Sequence, residues 1–145
     1  MRRKVNEAKA IFDKIYGKTK KVKITTKTLD GLWRQAVKKL AGDKCEYCGA
    51  TRYLNSHHIF GRRNYAVRWE INNGVSLCAK HHKFSNQFSA HETPTRFKDW
   101  IIEKRGQEWY DNLNKQANTC KPDREKFKNQ LEVILYGKPK KLPWE

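Results

Sequence analysis

Two ligand pairs of equal spacing constrain this chain more than anything else in it: Cys45-Glu46-Tyr47-Cys48 and Cys78-Ala79-Lys80-His81, with residues 49–77 between them. Two residues between ligands let one tight turn direct both side chains at a single ion. Two such turns supply the four soft or borderline ligands of tetrahedral zinc. The enclosed segment is too short to be stabilised by apolar burial alone, so a metal clip would replace a missing core. The expected set is Cys45, Cys48, Cys78 and His81 on structural zinc; the alternative is three buried reduced cysteines and a surface histidine. Cysteines arranged this way fit metal binding in a reducing compartment better than a disulfide framework, and Cys120 reads as an incidental thiol.

Four of the five histidines form two doublets, His57-His58 between the ligand pairs and His81-His82 at the end of the second. Once His81 is given to zinc, His57, His58 and His82 remain as candidates for a second, open centre. Phosphodiester hydrolysis needs a nucleophile, charge relief on the phosphoryl oxygens and stabilisation of the leaving oxygen, which one cation with an adjacent imidazole can supply.

The segment HHIFGRRNYAVRWEINNGVSLCAKHHKF, residues 57–84, resembles the HNH endonuclease family, especially its phage-type members with a zinc-stabilised ββα-metal fold. The resemblance covers residues 45 to about 90 and rests on histidine, asparagine and histidine in register with the cysteine pairs. It implies that His58 is the general base, that Asn73 orients its imidazole, and that His57 and His82 ligate the catalytic divalent ion. His57 stands where the family usually has an aspartate, which favours Mn, Co, Ni or Zn over Mg. An exchange of duties between His81 and His82 stays open. Arg62, Arg63 and Arg68 either grip phosphate through their guanidinium forks or face solvent. Lys80 and Lys83 flank the site, and a helix starting near Ala79 would turn its positive end towards the phosphate. His91 reads as a polar residue near the Thr93 cap rather than a ligand.

The charge agrees with a polyanionic partner: 32 Lys and Arg against 15 Asp and Glu give +17 over 145 residues. Residues 1–27 carry ten Lys or Arg and two acids, a local +8, whereas residues 43–92 carry seven and four, only +3. Basic flanks around a less charged centre suit a protein that neutralises phosphates while its middle does something more specific. Charge alone also fits a solvated surface, or ribosome-like or membrane-surface binding. No apolar run reaches the ~18 residues of a membrane span and the first residues lack a signal-peptide pattern, so a soluble intracellular protein is expected.

The expected fold class is α+β, a small ββα-metal core with helices on both sides. A basic N-terminal arm over 1–27 would precede a core over 28–90 and a helical extension over 91–145. The arm holds a helix over residues 4–16, then a basic stretch that is either an extended phosphate-binding arm or a disordered leader. Thr28 is the expected cap of a helix running to Leu40 with Leu29, Leu32, Trp33, Ala36, Val37 and Leu40 on one stripe. Two strands are expected in RYLNSHHIF and WEINNGVSLC, and a helix from Ala79 to about Phe88. Further helices should open at Thr93-Pro94 and close at Gly106, surround Trp109, Tyr110 and Leu113, and follow Lys121-Pro122-Asp123 with Phe127, Leu131, Ile134 and Leu135 inward. The partner expected is DNA, double-stranded before other forms, in a bacterial or phage-infected cell, with a homodimer left open. The competing reading is a zinc-stabilised DNA-binding module without catalysis.

Overall fold

A computed structural model describes residues 10, 11, 14, 15, 23–117, 119 and 121–137. The expected helix over 4–16, the basic stretch after it, Cys120 and the tail fall wholly or mostly outside these residues.

The first long helix, α1 (Thr26–Leu40), is capped by Thr25, whose Oγ1 accepts the backbone N–H of Thr28 at 3.1 Å. The cap therefore lies three residues before the expected Thr28. Arg124 fixes the earlier start, donating to the Ile24 carbonyl and to Thr26 Oγ1 and so holding the chain where the helix begins. Leu29, Trp33, Ala36 and Val37 are buried as their spacing requires. Leu40, expected on the same stripe, is the last residue of the helix and is 62% exposed.

Strands β1 (Leu54–His58) and β2 (Gly74–Cys78) pair antiparallel, with His57 opposite Val75 and His58 opposite Gly74. A 3₁₀ turn over Ile71–Asn73 leads into β2. The two-stranded sheet lies between two apolar cores. One contains Cys45, Val75, Leu77, Cys78, Phe88, Phe97 and Ile101. The other contains Leu29, Trp33, Ala36, Val37, Trp69, Phe127 and Leu131. At Gly74 α1 comes so close that a Cβ would collide with Val37 Cγ2 and stand 2.9 Å from Trp33 Cζ2.

After β2 the chain makes only a π-type turn, Lys80–Phe84, rather than the expected helix to Phe88. The chain folds back and the N–H groups of Ala90 and His91 take the carbonyls of His81 and His82, which a continuing helix would need for itself. Five residues carry no helix dipole of consequence, so the expected positive end directed at phosphate is absent.

Helices α2 (Pro94–Arg105), α3 (Gln107–Ala117) and α4 (Arg124–Tyr136) follow as the sequence indicates, with Gly106 in positive φ after α2 and Asp123 capping α4. Thr93 precedes α2, but its Oγ1 bonds to Ser89 instead of capping. Phe97 and Ile101 of α2 join the cysteine-side core, whereas Phe127 and Leu131 of α4 join α1. Arg105 ties α2 to the first cysteine turn through Glu46 Oε1 at 3.0 Å and to the start of β2 through the Gly74 carbonyl at 2.9 Å. The class is thus α+β, with a two-stranded antiparallel sheet and four α-helices among the described residues. None of these helices is long and apolar enough to cross a membrane.

Candidate metal centres

The two ligand pairs converge. The Sγ atoms of Cys45, Cys48 and Cys78 and a ring nitrogen of His81 lie within 4.8 Å of one another. Cys48 Sγ stands 3.8 Å from Cys78 Sγ, and His81 Nδ1 stands 3.3 Å from Cys78 Sγ and 3.9 Å from Cys45 Sγ. A tetrahedron with Zn–S of about 2.3 Å separates its sulfurs by roughly 3.8 Å, so this group could hold a metal such as zinc. Burial raises the Cys45 thiol, but backbone N–H groups of Cys78, Cys48 and Tyr47 directed at its sulfur outweigh that and leave it below the ordinary thiol value. Burial and the sulfurs of Cys45 and Cys78 push the Cys48 thiol up. Clustered sulfurs of this kind favour a cation that shares their charge.

A second group lies one residue further along. Ring nitrogens of His57, His82 and His91 also lie within 4.8 Å of one another, with His82 Nε2 and His91 Nε2 at 3.2 Å. Two imidazoles on a tetrahedral ion at about 2.0–2.1 Å stand roughly 3.3 Å apart, close to the His82–His91 separation, and the three residues form a group that could hold a metal ion. Burial, then His82, His91 and His58, lowers His57 to about 3. Burial and His91 also lower His82, so both rings are neutral near pH 7, the form that ligates. The geometry sends His81 to the sulfurs and His82 to the imidazoles.

His91 corrects the sequence reading. Expected beside the Thr93 cap, it instead meets both His82 and His57 ring to ring. Nine residues from His82, it has no ligand spacing to reveal it. The chain reversal that bonds its N–H to the His82 carbonyl at 3.1 Å brings it in.

His58 occupies different surroundings from His57, since successive side chains of a strand point to opposite faces. Its ring stacks on Trp33 at 3.8 Å and 11°, and its Nε2 lies 2.9 Å from the Arg68 carbonyl. A carbonyl only accepts, so Nε2 carries the proton and Nδ1 keeps the lone pair. Burial lowers this imidazole to about 4 despite the Arg68 carbonyl.

Asn73, expected to orient that imidazole, spends its side-chain hydrogen bonds elsewhere. Fully buried, its side chain donates to the Phe60 and Val67 carbonyls and accepts the Phe60 N–H at 2.7 Å. It thereby staples the loop after β1, and the Arg68 carbonyl makes the direct contact. Arg68 itself is no free phosphate grip: Asp30 holds its guanidinium at 2.7 and 3.0 Å. Burial raises the Asp30 carboxyl, but hydrogen bonds from Arg68 and Trp69 outweigh this and hold it below its ordinary value. Arg62, Arg63, Lys80 and Lys83 are exposed.

Clefts of about 380 and 330 Å³ lie elsewhere, and neither is lined by a histidine. The imidazole cluster reaches the surface at His91, which is exposed, whereas His57 and His82 are half-buried. Comparison with known protein families, with curated proteins and with solved structures finds no match.

Proposed function

We propose that the chain is a divalent-metal-dependent endonuclease of the HNH kind that hydrolyses phosphodiester bonds in DNA. The observation that carries this reading is the convergence of His57, His82 and His91 beside a separate Cys45, Cys48, Cys78 and His81 group, with His58 held next in the chain to His57. In this reading β1, β2 and the turn Lys80–Phe84 form the ββα-metal core.

His58 Nδ1 takes the proton of the attacking water as its oxygen bonds to phosphorus and the bond to the 3′ oxygen breaks. The Arg68 carbonyl then stabilises the imidazolium through Nε2–H. Asn73 is a positioning residue that fixes the loop from which that carbonyl points. Exposed Arg62 and Arg63 are suited to neighbouring phosphates. His57, His82 and His91 would hold a divalent ion, which would supply Lewis-acid charge relief to the phosphodiester. Three nitrogen ligands without a carboxylate favour Mn, Co, Ni or Zn over Mg.

Supercoiled plasmid incubated with each metal, with and without chelator, tests the reading. Metal-dependent nicking or linearisation is expected, strongest outside Mg. Binding without cleavage in every metal supports the non-catalytic module instead. His58→Ala is expected to keep fold and affinity and to lose cleavage by about 10²- to 10⁴-fold, the usual contribution of a general base.

A further inference from the structure

The surroundings of His58 come from outside the histidine-rich segment. Trp33 and Asp30 stand one turn apart on α1. Trp33, 1% exposed, lies flat against the His58 ring and donates its Nε1–H to the Glu70 carbonyl at 3.0 Å. Asp30 receives Nε and Nη2 of Arg68, and Trp69 Nε1–H at 2.8 Å. Arg68 in turn presents its carbonyl to His58 Nε2. One helix therefore fixes both the plane of this imidazole and the acceptor that selects its tautomer.

A histidine at the end of a strand, left to itself, exchanges tautomers and turns about its Cβ–Cγ bond. A flat indole that cannot rotate stops the turning. An immobile carbonyl stops the exchange, because it accepts only from the Nε2–H form. We infer that Trp33 and Asp30 are positioning residues that hold His58 in the Nε2–H tautomer and in one orientation, with Nδ1 as the open acceptor. The catalytic consequence rests on His58 being the general base of the proposed nuclease.

The test uses the full zinc-loaded chain and the variants Trp33→Leu, Trp33→Phe and Asp30→Asn. Nitrogen NMR of the imidazoles reads the tautomer, and plasmid nicking in Mn reads kcat and KM. Wild type is expected to carry the His58 proton on Nε2, with ring protons moved upfield by the indole. Trp33→Leu should lose that upfield shift, mix the tautomers and lower kcat roughly 10- to 100-fold at unchanged KM, a part of the about 10²- to 10⁴-fold a base contributes. Trp33→Phe keeps a flat ring and most of both properties. Asp30→Asn, of the same shape, should mix the tautomers with a smaller fall in kcat. A wild-type proton on Nδ1 overturns the inference, as does an unchanged tautomer in both Trp33→Leu and Asp30→Asn. If Trp33→Leu does not fold, Asp30→Asn decides. If wild type cuts in no metal the nuclease reading falls, and the imidazole spectrum alone then judges the positioning.

Discussion

Neighbouring histidines divide their work here because backbone geometry divides their surroundings. The strand pleat sends His57 to the imidazole cluster and His58 to Trp33, and the turn after β2 sends His81 to the sulfurs and His82 to the imidazoles. His91→Ala removes a third of the second nitrogen set and should weaken binding of Mn or Co at that centre by more than about 100-fold, beyond the range typical of outer-shell partners. Titration of the folded protein with Co, followed by its visible spectrum, measures this, and an unchanged affinity would remove His91 from the set. A pH effect follows from the lowered values of His57 and His58, about 3 and about 4. Both rings are neutral in the fold but take up protons in the unfolded chain below about 6.5, so stability rises with pH across that window. It is fully present above pH 6.5 and lost as the pH falls towards 4. Urea melts of wild type and His58→Leu should differ in slope there, wild type being the steeper. The Cys45, Cys48, Cys78 and His81 group was legible in the sequence because a ligand pair two residues apart is a local property. His91 was not, since only the folded-back segment after Phe88 brings it to His82.

Elements place these residues more than propensity does. α1 could be read from its apolar stripe, and α2 to α4 from their proline, glycine and aspartate boundaries, since these signals act within a turn or two. The early start of α1 and the cut-off after Phe84 were not legible, because Arg124 decides one from 98 residues away and the Ala90 and His91 amides decide the other. Likewise Arg68, open in the sequence between gripping phosphate and facing solvent, does neither freely, because Asp30, 38 residues earlier, holds it. The close approach of α1 to β2 gives a sharp expectation. Gly74→Ala must push Val37 and Trp33 away and should cost about 1–3 kcal/mol in denaturant unfolding. On the proposed nuclease reading it should also slow cleavage, because Trp33 moves with it. A Gly74→Ala protein as stable as wild type would mean that α1 does not pack as described.

Across the whole molecule a sheet of two strands separates two cores of unlike support. The α1 and α4 side is closed by large side chains such as Trp33, Trp69, Phe127 and Leu131, whereas the other side includes Cys45 and Cys78 among its buried members. Cys48→Ser, or chelation of a metal held by the Cys45, Cys48, Cys78 and His81 group, should therefore loosen the cysteine side first. Hydrogen exchange is expected to rise at β2 and α2 before it rises at α1 and α4, and uniform protection in Cys48→Ser would contradict that order. Net charge, +17, bears on solubility and association at this scale and not on the fold. His81 and His82 have a further consequence. Joined by a single peptide bond, they couple the two groups: on the proposed reading, a copy whose cysteine group holds no ion would not keep His82 seated against His57 and His91, so loading of the first group would precede competence of the second.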